Sequence, residues 1–166
     1  FNKVLKSKNL DSRHDYTYLD LSNRSNYIFN SEINGIEDSD FILLIGTNPR
    51  YEATMLNARI RKTYLNNKTS IYSIGDQGDL TYPYKVIGNT TGDVSEFFEK
   101  QSAIYNEFKK AKKPLIILGY SFFLLQSAKY LLNKCKEFLN DHISNMDENW
   151  IPLNIISKDA ANVGGY

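Results

Sequence analysis

The segment FILLIG, residues 41–46, decides the fold. Five consecutive apolar residues ended by glycine are typical of a strand that is buried on both faces of a parallel sheet. Two later segments repeat the pattern: TSIYSIG at residues 69–75 and PLIILG at residues 114–119. Amphipathic stretches separate and follow these segments, so the sequence predicts an α/β domain with a mostly parallel, layered sheet.

Helices are expected where apolar residues recur every three or four positions. This spacing predicts helices over residues 52–65, 93–111 and 122–139. A closing helix is expected where four apolar residues recur near the end of the chain: Leu153, Ile156, Ala160 and Val163. Residues 76–91 contain two glycines and a proline and are predicted to form a loop.

Composition and charge narrow the classes of function. The 166 residues fit one domain, with 42% hydrophobic and 23% charged residues. A formal net charge of +1 gives the chain no general attraction to nucleic acid or to anionic lipid. No apolar stretch approaches the roughly 20 residues that a bilayer-spanning helix needs, so we expect no direct membrane insertion.

The residues that commonly hold metals are few and scattered. The single cysteine, Cys135, excludes an internal disulfide and a cysteine-ligated cluster built by this chain alone. Its position on the apolar stripe of a predicted helix indicates a buried, inert thiol. The two histidines, His14 and His142, have no companion at metal-ligand spacing, so no metal site is predicted.

The loop at residues 46–52 is the strongest candidate for a ligand site, because parallel sheets bind ligands at the carboxyl ends of their strands. Gly46 would let the backbone approach a ligand closely, Thr47 and Asn48 offer donors, and Arg50 could pair with a phosphate. An ordinary strand-to-helix turn with a solvated arginine is the alternative. Neither the dinucleotide fingerprint nor the phosphate-binding loop motif follows the strand, so NAD or ATP binding has little support.

Two further features have both a functional and a structural interpretation. A local basic cluster could bind a phosphate or an acidic partner surface, although a solvated helix face is the commoner explanation; it consists of Arg50, Arg59, Arg61, Lys62 and Lys68. Ser121 lies in a strand-to-helix turn that resembles a hydrolase elbow, but no triad accompanies it. We therefore interpret Ser121 as the N-cap of the following helix.

The segment RSNYIFNSEINGIEDSDFILLIGTNPRYEATMLNARIRK, residues 24–62, resembles the large iron–sulfur (75-kDa) subunit of respiratory complex I, NADH:ubiquinone oxidoreductase. Its most specific part is GTNPRYEATMLNARIRK, residues 46–62. The similarity continues at residues 79–82, 111–119 and 150–166. It covers most of this chain but only a minority of the family's full-length subunit.

The resemblance implies a Rossmann-like layered domain, part of a molybdopterin-oxidoreductase-like (formate dehydrogenase-like) fold. Residues 1–35 would form an N-terminal connection and residues 36–166 part of the α/β domain. In related molybdoenzymes a loop matching residues 46–52 helps to hold the pterin dinucleotide, a cofactor that the complex I branch is understood to have lost. The loop GDQGDLTY, residues 75–82, follows the complex I pattern. The resemblance therefore implies a vestigial cofactor site at Gly46, Thr47, Asn48, Pro49, Arg50 and Glu52.

The family also implies a role for the chain. We expect a structural segment of the matrix-side peripheral arm in the mitochondrial inner membrane complex, without catalytic residues, clusters or other cofactors of its own. Iron–sulfur clusters are expected in the rest of the subunit, from which this chain would be split or taken. Its expected partners are the remaining parts of that subunit and other peripheral-arm subunits, since a lone fragment leaves sheet edges and apolar faces uncovered. The alternative is a cofactor-holding domain of an active molybdopterin-dependent oxidoreductase.

Overall fold

The computed structural model describes residues 17–158 together with Val4. Within that part of the chain, five strands form one sheet in the order β3-β2-β1-β4-β5, and every pair is parallel. The strands are β1 (Phe41–Ile45), β2 (Ser70–Ile74), β3 (Lys85–Gly88), β4 (Pro114–Leu118) and β5 (Leu153–Ile155). The predicted α/β class with a parallel sheet is confirmed.

The helices are short apart from two. They are α1 (Pro49–Glu52), α2 (Thr54–Asn67), α3 (Thr91–Phe98), α4 (Tyr105–Lys110), α5 (Tyr120–Phe123) and α6 (Ala128–Asn140). Between residues 17 and 158, three 3-10 helices accompany them, at Arg24–Asn26, Gly35–Asp38 and Ile143–Asn145.

Both faces of the central strand β1 are covered, which explains why its sequence is apolar throughout. Alternate side chains of a strand point to opposite faces. Phe41, Leu43 and Ile45 pack with the layer formed by α3 to α6. Ile42 and Leu44 pack on the other face, with α2 and the 3-10 helix at Gly35–Asp38.

The order of the strands reverses direction between β1 and β4. The chain moves from β1 outward to β2 and β3 with α2 on one face of the sheet, and then crosses to β4 and β5 with α3 to α6 on the other face. Such a switch point opens a crevice at the carboxyl ends of the two central strands, where ligands of open α/β sheets bind. The 46–52 loop begins in this place.

The predicted closing helix is wrong, because Leu153–Ile155 is the edge strand β5. Leu153 and Ile156 fit a helical spacing equally well, but tertiary pairing decides the outcome. Leu153 pairs with Ile116 of β4, and the amide of Ile155 donates to the carbonyl of Ile28 at 3.1 Å. The other two residues of that prediction, Ala160 and Val163, lie outside the described residues.

A strand lies inside the segment predicted to be a loop. β3 occupies the open edge of the sheet beyond β2, and its pairing shifts register between Ser73 and Ile74. Val86 is 43% exposed, so β3 does not have the apolar run that identifies a buried strand. Only the part of residues 76–91 outside β3 and α3 therefore keeps the predicted loop conformation.

The predicted helices exist but are interrupted or shifted. The first is α2, which starts at Thr54 after a break at Ala53 and ends where Lys68 adopts a left-handed conformation, with φ of 55°. The second divides into α3 and α4, and the third into α5 and α6. The N-cap prediction for Ser121 is wrong, because α5 begins after Gly119 and Ser121 lies within the helix.

Candidate functional site

A cleft of about 400 Å³ lies beside the 46–52 loop at the carboxyl edge of the sheet. Ile45, Ile74 and Phe122 supply apolar walls from the ends of β1, β2 and the start of α5. Polar side chains also line the cleft: Thr47, Asn48, Glu52, Gln77, Asn89, Thr90, Thr91 and Ser121. Its position is the one predicted from the sequence, and its size is at the lower end for small-molecule sites.

Two glycines bring the loops after β1 and β4 into direct contact. Gly46 has a φ of 59°, and a Cβ atom there would lie 2.8 Å from the backbone nitrogen of Phe122. A Cβ atom at Gly119 would lie 2.3 Å from Cβ of Thr47 and 2.4 Å from the carbonyl oxygen of Gly46. The missing side chains thus let the loops after β1 and β4 pack directly against each other, with α5 adjacent to Gly46.

The donors of the 46–52 loop are bonded to a carboxylate of the same loop. The buried hydroxyl of Thr47 donates to Oε2 of Glu52 at 2.9 Å, and the backbone amide of Asn48 donates to Oε1 at 2.8 Å. Asn48 also caps α1, accepting from the amide of Arg50 at 3.1 Å, and Pro49 takes the first helical position. Glu52 therefore satisfies two donors that a bound anion would otherwise use.

A second set of contacts fixes the loop against the segment after β2. The guanidinium of Arg50 donates through Nη1 to the carbonyl and to the carboxylate of Asp79, both at 2.7 Å. The side-chain amide of Asn48 donates through Nδ2 to the carbonyl of Gln77 at 3.0 Å. A hydrogen bond from the backbone of Thr81, with a smaller contribution from Arg50, lowers the pKa of Asp79.

The predicted basic cluster is divided between two carboxylates. Arg50 pairs with Asp79 beside the cleft, whereas Arg59 and Lys62 both pair with Glu37 on the outside of α2. The ammonium of Lys68 lies 5.1 Å from the ring centroid of Tyr64. The five cations therefore do not converge on one phosphate position.

Sequence reasoning missed the residues that hold the 75–84 segment in place. Asn57 of α2 donates to the carbonyl of Leu80 at 3.1 Å and accepts from the hydroxyl of Tyr82 at 2.9 Å. Burial raises the pKa of Tyr82. The hydroxyl of Tyr84 accepts from the amide of Gln77 at 3.0 Å. A polar residue on the inward face of a predicted helix is the signal that could have identified Asn57.

The thiol and the imidazole are structural groups. Cys135 is fully buried, as predicted, and burial raises its pKa to about 12. His142 is also buried, with Nδ1 2.6 Å from the carbonyl of Phe138 and Nε2 3.0 Å from the hydroxyl of Tyr105. His14 lies outside the described residues. Across residues 17–158, no group of three or more His, Cys, Asp or Glu side chains is placed to hold a metal ion.

The layered parallel sheet and the loop at its switch point define an open, doubly wound α/β domain. The entire chain, residues 1–166, matches the molybdopterin oxidoreductase family, and the chain belongs to that family. Within the described residues, no helix has both the length and the apolar character to cross a membrane.

Several similar proteins are named as subunits of NADH-ubiquinone or NADH-quinone oxidoreductase. The chain is 37% identical over 140 residues to a mitochondrial NADH-ubiquinone oxidoreductase 78 kDa subunit of Candida albicans, covering 84% of this chain and 19% of that protein. It is 36% identical over 156 residues to the NADH-ubiquinone oxidoreductase 75 kDa subunit of Reclinomonas americana, covering 94% of this chain and 22% of that protein. A subunit of the NADH-quinone oxidoreductase of Rickettsia bellii is 32% identical over 148 residues, covering 89% and 22%.

These similarities confirm the resemblance to the large complex I subunit that residues 24–62 indicated. The chain spans about a fifth of the length of the curated relatives it matches.

Proposed function

We propose that this chain is a structural, non-catalytic segment of the large iron–sulfur subunit of an NADH:ubiquinone oxidoreductase. The carboxylate of Glu52 is the observation that carries the proposal. It accepts hydrogen bonds from the Thr47 hydroxyl and the Asn48 amide, which are the donors nearest to the switch point. A site whose donors are bonded within the protein supports a role in packing rather than in chemistry.

The residues of the 46–52 loop do not fit a pterin dinucleotide in this arrangement. An anionic phosphate near Thr47 and Asn48 would displace Glu52 or lie against its negative charge, which is unfavourable in a partly desolvated cleft. α5 fills the space beside Gly46, and Arg50 already contacts Asp79. We therefore assign Gly46, Thr47, Asn48, Pro49, Arg50 and Glu52 to a vestigial cofactor loop that now joins two parts of the fold.

Electron-carrying clusters belong, in this proposal, to the rest of the subunit. Cluster ligands are chiefly Cys thiolates that reach the metal. Cys135 is enclosed by the core, and its pKa is raised to about 12, which opposes that role. This chain would instead complete the fold around which the cluster-bearing part is arranged, without a catalytic residue or a cofactor of its own.

The same proposal gives the location and the partners of the chain. We place it on the matrix side of the mitochondrial inner membrane complex, in contact with the remaining parts of the large subunit and with other peripheral-arm subunits. Nucleic acid and direct insertion in the membrane have no part in it. We divide the chain into a connection, residues 1–35, and a partial α/β domain, residues 36–166. The 2.7 Å hydrogen bond from Asn30 to the carbonyl of Leu153 supports a connection that packs on the domain.

One alternative has an observation in its favour. The cleft of about 400 Å³ at the switch point, together with membership in the molybdopterin oxidoreductase family, suits a cofactor-holding domain of an active molybdopterin-dependent oxidoreductase. In that alternative the Glu52 carboxylate moves away when the cofactor binds. Arg50 then exchanges Asp79 for a phosphate of the dinucleotide.

The two proposals can be separated by expressing the chain with an affinity tag in the organism it comes from and analysing the assembly that it joins. Our proposal expects the tag to migrate on a native gel with NADH dehydrogenase activity, and the intact assembly to contain iron but no stoichiometric molybdenum or pterin. Chain released from the assembly by urea should contain neither metal. Migration of the tag away from that activity contradicts the assignment to complex I.

Stoichiometric molybdenum in the assembly would favour the alternative, particularly if Arg50→Ala removes it. The matched control is Arg24→Ala, an arginine in a 3-10 helix that does not line the cleft. It should leave the metal content of the assembly unchanged under either proposal.

A further inference from the structure

The helix α2 carries apolar side chains on the side that faces away from the sheet. Met55 and Leu65 are 68% and 54% exposed, and Ala58 and Lys62 lie between them. The spacing of three, four and three residues places all four on one stripe of a helix. A helix at a free surface normally has polar residues in these positions, so this face resembles one that another helix covers.

The inward face of α2 supports the same conclusion. Two of its four buried side chains are polar, Asn57 and Thr63. Asn57 donates to the carbonyl of Leu80, and Thr63 donates to the carbonyl of Ile36 at 3.0 Å. Asn57 and Thr63 thus help Leu56 and Ile60 to anchor the helix to its own domain, while Met55 and Leu65 point outward. Burial against the sheet alone does not explain this distribution.

The outer face of α2 is also positively charged, although the chain as a whole has a net charge of only +1. Residues 54–67 include three cations and no acidic residue. Arg59 and Lys62 share one carboxylate, that of Glu37. The Nζ atom of Lys62 lies 2.6 Å from its Oε2. Arg61 is exposed and forms no ion pair within the described residues. The cationic charge is therefore only partly neutralised.

A groove of about 460 Å³ runs along this face between α2 and Thr81. Its lining from α2 includes the small Ala58, the apolar Leu65 and the cations Arg61 and Lys62. The small side chain of Ala58 permits close approach of another backbone, and helices that pack closely lie about 8–10 Å apart. With 14 residues, α2 is about 21 Å long, which accommodates three to four turns of a partner helix.

We propose that the outer face of α2 docks an acidic amphipathic helix that lies outside these 166 residues. Apolar side chains of that helix cover Met55, Ala58 and Leu65, and its carboxylates pair with Arg61 and Lys62. Charge complementarity selects this occupant, because the three cations of α2 have a single carboxylate partner among them, that of Glu37, and Arg61 has no ion pair within the described residues. A lipid surface suits the face less well, since the other large apolar residues of α2, Leu56 and Ile60, are committed to the core. The inference rests on the proposed function, in which neighbouring polypeptide completes this domain.

Cysteine accessibility in the native assembly tests whether the face is covered. Ala58→Cys is introduced in the tagged chain and treated with a maleimide, before and after the assembly is dissociated with urea. We expect little labelling of this position in the native assembly and full labelling after dissociation. Equal labelling in both states shows a bare face and overturns the proposal. The parent chain, whose only cysteine is the buried Cys135, is the background control in both states.

The nature of the occupant is tested by charge and by cross-linking. Arg61→Glu should lower the fraction of tagged chain recovered in the assembly at least about tenfold, and Arg61→Lys should retain it. Lys109→Glu, an exposed lysine of α4 on the other side of the sheet, is the matched control and should have no effect. Assembly of Arg61→Glu at the parental level contradicts the proposal.

A photoreactive residue at position 58 should cross-link to a peptide that contains more Asp and Glu than Lys and Arg. Cross-linking to lipid, to nucleic acid or to a basic peptide overturns the proposal. Migration with NADH dehydrogenase activity while Ala58→Cys remains unprotected removes this inference and leaves the proposed function intact. Cross-linking to an acidic helix in an assembly without NADH dehydrogenase activity would support this inference and contradict the proposed function.

Discussion

Replacement of Gly119 by alanine tests the close contact between the loops at the switch point. The added Cβ atom would lie 2.3 Å from Cβ of Thr47, whereas ordinary contacts of this kind begin near 3.4 Å. The neighbours must therefore move by about 1 Å. They have no flexible end that could yield, because the other close atoms are the Gly46 carbonyl oxygen and the Thr47 Cα. Gly119 itself has a φ of −97°, so the cost is one of packing and not of backbone conformation.

Overpacking of this kind costs about 1–3 kcal/mol, and we expect the upper end because backbone must move. With a urea dependence of about 2 kcal/mol per molar, a loss of about 3 kcal/mol lowers the unfolding midpoint by about 1.5 M. Pulse proteolysis of the tagged chain in purified assembly, over a urea series, measures this midpoint. Gly35→Ala is the control, since its nearest neighbour lies at 3.9 Å, and it should change stability by no more than about 0.5 kcal/mol. If both variants have the same midpoint, the loops are not in contact as described.

Two further substitutions and one labelling experiment test other contacts. Asn154→Ala should lower the free energy of unfolding by about 2–3 kcal/mol, because the buried side chain accepts hydrogen bonds from the amides of Asn30 and Ser31. The exposed Asn133→Ala is the control in the same urea series. Equal unfolding midpoints for the two variants would contradict the role of Asn154. Cys135 should resist maleimide until the chain unfolds, since burial raises its pKa to about 12; labelling of native protein, followed by mass, would contradict that enclosure. A hydrogen bond from Lys136 lowers the pKa of Asp20 from 3.8 to about 2. The ionised Asp20 carboxylate therefore stabilises the fold fully above pH 3.8, and this stabilisation is lost as the pH falls toward 2. The destabilisation by Asp20→Asn in thermal unfolding should therefore shrink across that interval, and a constant difference would contradict the ion pair.

The central strands could be predicted from the sequence because both of their faces are buried. A strand between two helical layers needs apolar residues at every position, and β1 and β4 are buried throughout. That requirement leaves a continuous run in the sequence, which a glycine ends in each case. The edge strands have no such requirement. β3 is largely exposed, and β5 is a three-residue strand defined by its pairing with β4 and with the segment at Phe29.

The helix boundaries were less predictable, because apolar spacing does not register a local break. Val94, Phe97 and Phe108 all pack in the same core, so the predicted helix over residues 93–111 has a consistent apolar face. The backbone nevertheless reverses at Lys100, where φ is 65°, and α4 begins only at Tyr105. Two short helices that share one core therefore produce the pattern of a single long helix.

The sequence singled out the 46–52 loop as a candidate site, and a cleft lies beside it, but the hydrogen bonds of the loop could not be predicted from the sequence. The donors of the 46–52 loop are visible as residue types, whereas their acceptors depend on the fold. Glu52 lies four residues from Asn48, and Asp79 lies 29 residues from Arg50. A local motif therefore cannot show whether the donors of the loop are free to bind an anion or already bonded to a carboxylate of the protein.

The decisive property of the loop is the position of two carboxylates, that of Glu52 within it and that of Asp79 in the segment after β2. Glu52 accepts from Thr47 and Asn48, and Asp79 accepts from Arg50; in the proposed function the negative charge of both opposes a phosphate here. A member of this family that retained an active cofactor loop should therefore differ at the positions of Glu52 and Asp79 before it differs at Thr47 or Asn48.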